Sequence, residues 1–291
     1  EISQMFGELI GVWVVHKWEL MGKPKQFNLI ELGPGRGTLL ADLMRVVEGQ
    51  QGLIDAVKLY LVELSPKLRE IQKAVLSHYN PTWADQLDQI PRGPTLLIAN
   101  EFFDSLPIRQ FQRVRAGWHE RLIGLKDRKS HSFKFVLSQF PSVLNLEKFF
   151  PRATEGSIVE VSSHANFCLK EISQRLSVGY GSALIFDYGY TEAELVDTFQ
   201  AVKNHKYASV LKNPGQSDLS AHVDFSMLKK IGEESSLKSV EVVTQREFLQ
   251  TYGIEDRVKM LIENATGEQV NDIILAHQRL TGLDQMGELF K

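Results

Sequence analysis

The sequence predicts an α/β fold: a mostly parallel, twisted sheet with helices on both faces, interrupted by an antiparallel β-rich insertion. Three observations carry this expectation. Short apolar runs alternate with helical patterns through the first hundred residues, the rhythm of a parallel sheet covered on both sides. "TLLIAN" (95–100) is almost continuously apolar, as a strand buried on both faces must be. From about Pro107 the texture changes to alternating apolar and polar residues, broken by turn-like "RAG" and "DRKSHS", the pattern of antiparallel hairpins.

In chain order, residues 3–20 read as a helix with Ser3 as N-cap and Met5, Leu9, Val12, Trp13 and His16 near one face. "FNLIEL" (27–32) is a short strand ending at a cluster of glycines, and 37–48 resumes a helical pattern. "VKLYLVEL" (57–64) is the next strand. Ser65 and Pro66 open the following helix, with proline where its missing N–H costs nothing. "PTW" (81–83) ends a short third strand before "TLLIAN". "IRQFQRV", "WHERLIGL" and "SFKFVLS" form the antiparallel insertion, over 107–140. "SIVEVS", a helix over 163–177 and "GSALIFDYG" (181–189) return to the α/β rhythm. A loop around 212–225 leads to two helices and a late strand, "SVEVVT" (239–244), and 246–280 is helical. The domain organisation read from this pattern is an α/β half over 1–106, an inserted β-rich subdomain over 107–162, and the remaining α/β domain with C-terminal helices over 163–291.

At 291 residues, 43% hydrophobic and 24% charged, the chain can bury a substantial core. A net charge of −3 supplies no bulk attraction to nucleic acid, so no nucleic-acid partner is expected. The single cysteine, Cys168, precludes an internal disulfide, fits a reducing compartment, and reads as a small buried hydrophobe on the "ANFCLKEIS" helix. The longest apolar stretches, such as "LIGVWVV" (9–15), are too short to cross a bilayer, and no membrane insertion is expected.

The glycine-rich stretch carries the first functional signal. A strand, a glycine turn and a helix place backbone N–H groups and a helix N-terminus beside a ligand. Here the glycines are Gly33, Gly35 and Gly37, with Pro34 and Thr38 completing the candidate loop contacts. Glu31 sits just before them, at the strand's carboxyl end. A carboxylate there repels a pyrophosphate and suits a ligand bearing an ammonium or sulfonium. S-adenosyl-L-methionine is such a ligand. An acid at the end of the next strand is then expected to accept from the ribose diol, and Glu63 occupies that place. After the third strand, Asp85 is a candidate for the adenine amine and Trp83 for a packing surface; the pair reads equally well as a turn residue and plain core.

Reacting groups in an open parallel sheet gather beyond the carboxyl ends of its strands. "LLIANEFFDSLPIRQF" puts Asn100 and Glu101 at such an end, with Asp104 three residues on. Paired carboxylates hold a guanidinium through charge-assisted bonds and can orient one nitrogen toward a methyl donor. Glu101 and Asp104 are therefore the candidates for binding an arginine substrate, with Asn100 available for a further hydrogen bond. The alternative is that Asp104 caps a turn and the intervening phenylalanines are core. Asp187, ending "ALIFDYG", either orients the substrate or binds neighbouring loop amides; His222 and Asp224 lie on a loop that could cover a pocket. No HExxH-type metal signature, P-loop, GxSxG or catalytic-cysteine pattern is present.

"EISQMFGELIG", "ELGPGRGTLLADLMR", "LVELSP", "NEFFDSLPIRQF", "FDYGY" and "DLSAHVDF", in this order, closely resemble the MidA family of S-adenosylmethionine-dependent methyltransferases. The resemblance extends over nearly the whole chain. It implies a class I methyltransferase, Rossmann-like fold whose first half binds the cofactor and whose insertion lies on the substrate side. It implies cofactor roles for Glu31, Gly33, Gly35, Gly37 and Glu63. Mitochondrial members of the family assist assembly of respiratory complex I as protein-arginine methyltransferases, which implies a protein partner and symmetric dimethylation of an arginine on a complex I subunit. The resemblance does not assign a catalytic base. Family members carry residues upstream of "EISQ" and begin a final sheet strand near "MGELFK", so the chain is expected to lack residues at both ends. The short link between "LVELSP" and "NEFFDSLP" is more like the bacterial members, implying a bacterial cytoplasm, with the mitochondrial matrix as the alternative. Two other functions fit the same motifs: methylation of a small molecule or nucleic acid, and a non-catalytic assembly chaperone that binds S-adenosylmethionine.

Overall fold

The computed structural model describes residues 3–127, 132–204, 206–235 and 237–291. In chain order its elements are α1 (Gln4–Leu20), β1 (Phe27–Leu32), α2 (Thr38–Glu48), α3 (Leu53–Ala56), β2 (Val57–Val62), α4 (Pro66–Val75), β3 (Thr82–Ala84) and β4 (Thr95–Asn100). There follow β5 (Arg109–Val114), β6 (Gly117–Leu125), β7 (Phe133–Pro141), α5 (Leu146–Phe149), β8 (Ile158–Val161), α6 (Ser163–Gly179), β9 (Gly181–Phe186) and β10 (Gly189–Tyr190). The remainder comprises β11 (Gln200–Lys203), β12 (Lys206–Ala208), β13 (Asp218–Ser220), β14 (Val223–Asp224), α7 (Phe225–Glu234), α8 (Gln245–Thr251), α9 (Ile254–Glu263), α10 (Gly267–Thr281) and α11 (Met286–Leu289). The chain divides into two compact units, Glu1–Phe103 with Cys168–Gly189 and Lys229–Lys291, and Asp104–Phe167 with Tyr190–Leu228.

The first unit is built on a parallel sheet of order β3-β2-β1-β4-β9. The strand order reverses between β1 and β4, which makes their carboxyl ends the natural crevice of the sheet. Every residue of β1 is buried, the polar Asn28 and Glu31 along with the apolar four. Ser3 caps α1 by accepting the Met5 amide, and Ser65 caps α4 by accepting the Leu68 amide, as both were read from sequence. α1 lies close against α2 because Gly7 and Gly11 have no side chains. A Cβ on Gly7 would stand 2.6 Å from Asp42 Cβ, and one on Gly11 2.8 Å from Val46 Cβ. Glu8 on α1, buried, accepts from Nε and Nη2 of Arg257 on α9 at 2.8 and 2.9 Å, fixing a third helix to the pair.

On α6, buried Arg175 donates to the carbonyls of Pro91, Leu87 and Ile90 at 2.9, 2.7 and 2.7 Å, anchoring the connection between β3 and β4. Burial pulls its guanidinium below the usual arginine range. Cys168, on the same helix, has its thiol pushed up to about 12 by burial and by the charge of Glu171, so it behaves as an inert hydrophobe.

The strand expected over 239–244 does not form. Those residues belong to no strand; Val240 packs instead against Gly232 of α7, where a Cβ would meet Val240 Cγ2 at 2.9 Å. The segment then runs into Thr244, which closes a capping box with Glu247 at the start of α8. One helix, α7, precedes it where two were expected, and the helical stretch 246–280 resolves into α8, α9 and α10.

The second unit holds an antiparallel sheet of order β7-β6-β5-β8 and a three-stranded sheet of order β12-β11-β13. Phe111, Trp118, Leu146 and Val159 form its core. It takes in residues 190–228 as well as the segment that alternation marks as an insertion. Glu160 is one tie between the two segments. Its buried carboxylate accepts from Gln110 Nε2 at 2.7 Å, from the amides of Thr198 and Phe199 at 3.1 Å each, and from the Thr198 hydroxyl. Such a link between residues 38 positions apart leaves no trace in local periodicity.

Candidate functional site

The carboxyl end of β1 delivers the chain into a loop held by three left-handed glycines, Gly33, Gly35 and Gly37, with φ of +60°, +54° and +82°. The Gly33 amide donates to Val62 O at 2.9 Å, tying the loop to the end of β2, and the Gly37 amide donates to Pro34 O at 2.8 Å. Two of these positions need glycine for different reasons. A Cβ on Gly33 would press on the Phe102 ring at 2.9 Å, whereas one on Gly35 would meet nothing within 4 Å. Gly35 therefore presents bare backbone to an open side of the loop. Gly37 serves as N-cap of α2 with no side-chain cap bond, so the first-turn N–H groups from Thr38 onward have no capping acceptor from that residue.

Glu31 is 2% exposed at the end of β1, and Glu63 is 9% exposed just past β2. Glu63 Oε1 accepts the Ser65 amide at 2.8 Å, and Oε2 accepts Gln72 Nε2 at 3.3 Å. Arg69 on α4 braces the same turn by donating to the Glu63 carbonyl through both Nε, at 2.7 Å, and Nη2. Its Nη2 also reaches Ala84 O at 3.1 Å and Asp85 Oδ1 at 2.6 Å. Asp85 thus stands past β3 as an exposed carboxylate paired with Arg69, its own amide donating to Gln89 Oε1 at 2.8 Å. Trp83 is half-buried, donates from Nε1 to Gln72 Oε1 at 2.8 Å, and carries Lys73 over its ring at 5.5 Å.

At the end of β4, half-buried Asn100 lies opposite Phe186 in register. Glu101 follows with φ +47°, its side chain exposed and its amide donating to Phe186 O at 2.9 Å. A non-glycine residue in that region is uncommon and is concentrated at functional turns. Phe102 and Phe103 meet edge to face at 5.6 Å between ring centres. Asp187 is fully buried at the end of β9, and its carboxylate accepts the amides of Phe103 and Tyr188 at 2.9 and 3.0 Å. Of the two roles open to it in the sequence, it performs the binding of loop amides.

Asp104 begins the second unit, half-buried, with its carbonyl accepting the Ala221 amide at 3.1 Å. In that unit Asp224 caps the start of α7, accepting the Met227 amide at 3.0 Å and the Ser226 hydroxyl at 2.5 Å. The His222 amide donates to Thr198 Oγ1 at 2.9 Å, and burial lowers the tendency of its imidazole to protonate.

The first unit thus gathers Glu31, the glycine loop, Glu63, Asp85, Asn100 and Glu101 along the carboxyl edge of one sheet. Residues 9–243 match the family described as "Putative S-adenosyl-L-methionine-dependent methyltransferase". The chain belongs to this methyltransferase family.

Relatives of known name agree with the family. The mitochondrial protein arginine methyltransferase NDUFAF7 of Xenopus tropicalis is 38% identical over 318 residues, an alignment covering all of this chain and 73% of the relative. The human NDUFAF7 protein is 34% identical, with all of this chain and 70% of the relative covered. A crystal structure from Burkholderia thailandensis, bound to S-adenosyl-homocysteine, shares the fold with a TM-score of 0.84 at 23% identity, covering all of this chain and 76% of that one.

The methyltransferase cofactor is S-adenosyl-L-methionine, and the residues present fit it. Gly35 has room for a ligand to approach its backbone, and two carboxylates at most 9% exposed supply negative charge beside it. A pyrophosphate would be repelled by Glu31, just before the loop, whereas an acid placed as Glu63 is suits a ribose diol. Sequence reasoning missed Gln72 and Arg69. The available signal was a polar residue in a core position, since Gln72 stands between Leu68 and Leu76 at helical spacing.

Proposed function

We propose that this methyltransferase acts on an arginine side chain of a protein, with a subunit of respiratory complex I as the acceptor and complex assembly as the process served. The observation that carries this reading is the match over the whole chain to proteins named as arginine methyltransferases, at 34% identity and above. The family motif around Glu101 and Asp104 supports it chemically. When bound, S-adenosyl-L-methionine supplies a methyl group on a sulfonium, open to attack by a nitrogen lone pair. The chain's own work is to hold and orient the two reactants.

On this reading Glu31 and Glu63 hold the cofactor's cationic and ribose portions, the 33–38 loop and Asp85 complete its binding, and Glu101 and Asp104 take the guanidinium. Charge-assisted bonds to a planar guanidinium fix which nitrogen faces the methyl group, and a carboxylate is the group that can receive the proton released. Asn100 adds a hydrogen bond to either reactant. The setting implied is one where complex I is assembled, a bacterial cytoplasm or a mitochondrial matrix. Among the described residues no helix is long and apolar enough to cross a membrane.

The test is transfer of labelled methyl groups from S-adenosyl-L-methionine into a lysate containing complex I subunits, followed by hydrolysis and identification of the labelled residue. Label in methylarginine of a complex I subunit is the expected result. Label confined to nucleic acid or small molecules overturns the acceptor, and absence of label with rescued assembly in cells identifies a chaperone.

A further inference from the structure

Gln72 is fully buried, and among the described residues of α4 it is the only one that is. A helix that buries a glutamine in place of a leucine must satisfy its amide, and here every partner belongs to the cofactor crevice. Nε2 donates to Gly35 O at 2.7 Å and to Glu63 Oε2 at 3.3 Å, while Oε1 accepts Trp83 Nε1 at 2.8 Å. The partners determine the orientation of the amide, because a carbonyl and a carboxylate only accept and an indole N–H only donates. The aliphatic part lies against the loop as well: a Cβ on Gly37 would sit 3.5 Å from Gln72 Cγ.

We propose that Gln72 is a positioning residue that locks the glycine loop, the Glu63 carboxylate and the Trp83 ring into one arrangement competent to bind the cofactor's nucleoside. The proposal rests on Glu63 being the acceptor for the ribose diol. Glu63 has Oε1 turned to the Ser65 amide and Oε2 to Gln72, so its rotamer is held from both sides before any ligand arrives. Without the Gln72 amide, Oε2 loses that donor, Gly35 O loses its side-chain donor, and the indole N–H loses its acceptor. Binding then has to order these groups itself, and the affinity lost is the part owed to the diol.

The experiment measures equilibrium binding of S-adenosylhomocysteine and of its 2′-deoxy analogue to the full chain, together with the ligand-free melting temperature. Wild type is expected to prefer the intact ribose by about tenfold. Gln72→Met keeps the side-chain volume without the amide, and is expected to bring that preference down to about twofold while weakening S-adenosylhomocysteine itself. Gln72→Glu keeps an acceptor for Trp83 but sets a second carboxylate against Glu63, and is expected to abolish the preference. It serves as the measurement if the methionine variant does not fold. A merely structural glutamine would lower the melting temperature and weaken both ligands alike, leaving the ratio at its wild-type value; that result overturns the proposal. A wild type with no preference between the two ligands overturns the reading of Glu63, and the role of Gln72 with it.

Discussion

The carboxylate of Asp187 accepts the amide of Phe103 at 2.9 Å, joining the ends of β9 and β4 across 84 residues of sequence. Its other oxygen takes the Tyr188 amide at 3.0 Å. The pair has a consequence for the glycine loop, since Phe103 packs on Phe102 and the Phe102 ring lies where a Gly33 side chain would be. Asp187→Asn replaces one acceptor oxygen by an NH₂ facing a backbone N–H. Leaving a buried donor without its acceptor costs about 1–3 kcal/mol, and urea denaturation should show a loss of that size. An unchanged midpoint would mean that Asp187 contributes nothing to holding the strand ends.

The close approach of α1 and α2 makes a paired prediction about glycine. In Gly11→Ala the new Cβ falls 2.8 Å from Val46 Cβ and 2.9 Å from Leu43 O, one of them backbone that cannot swing away. Overpacking of this kind costs about 1–3 kcal/mol. Gly267, in the first turn of α10, has nothing within 4 Å of its Cβ position. Gly267→Ala should therefore stabilise the chain by about 0.4–1 kcal/mol through the unfolded state. Thermal unfolding of the two variants should move in opposite directions.

Cys168 tests burial by its reactivity. Burial, aided by the charge of Glu171, pushes the thiol up to about 12, so the neutral form dominates at every ordinary pH. A free thiol near 8.5 is already substantially ionised at pH 8, so the folded chain should be alkylated by iodoacetamide roughly a thousandfold more slowly. The sign follows from linkage. A thiol raised in the folded state binds its proton more tightly there, so its contribution to stability is complete below about 8.5 and is lost as pH rises toward about 12. Alkylation in urea at the rate of free cysteine, against slow reaction without it, is the expected pair of measurements.

His222 titrates in the opposite sense. Burial disfavours its charged form, so its protonation opens a gap between folded and unfolded states as the medium becomes acid. Its folded pKa lies below the unfolded value of about 6.5, so stability falls as pH drops below that value. His222→Gln should flatten the slope of stability against pH between about 7 and 5, measured by denaturant titration. A slope unchanged by the substitution would assign the acid sensitivity to other groups.

Much of the fold was legible because it is written in local patterns. β1 and β4 occupy the expected residues 27–32 and 95–100, since a strand buried on both faces is a short, mostly apolar run ended by glycine or by polar residues. The positions of Glu31 and Glu63 at the carboxyl edge of the sheet were readable because each follows from where its strand ends. Residues that act through distant partners were not. Gln72 meets Gly35 from 37 positions away, and Asp187 meets Phe103 from 84, and no periodicity records such pairings. The alternating "SVEVVT" looked like a strand because alternation reports two-sidedness, and one of those sides is used here by Val240 against α7. Segment 190–228 gave no sign of joining the second unit because its ties, the Thr198 and Phe199 amides on Glu160 and the Asp197 carboxylate on Gln110 and Arg121, all reach partners far away in the sequence.

The central claim is that the crevice between Glu31, the 33–38 loop and Glu63 holds S-adenosyl-L-methionine through charge as well as shape. Calorimetric titration of the wild type, Glu31→Gln and Glu63→Gln tests it most directly, because each substitution keeps the side chain's outline while removing its charge and turning one acceptor oxygen into a donor. Wild type should bind S-adenosyl-L-methionine and show no binding of NAD. Each variant should lose about tenfold or more in affinity, the equivalent of about 1.4 kcal/mol. Folded variants that bind as tightly as wild type, or a wild type that prefers NAD, would contradict the account.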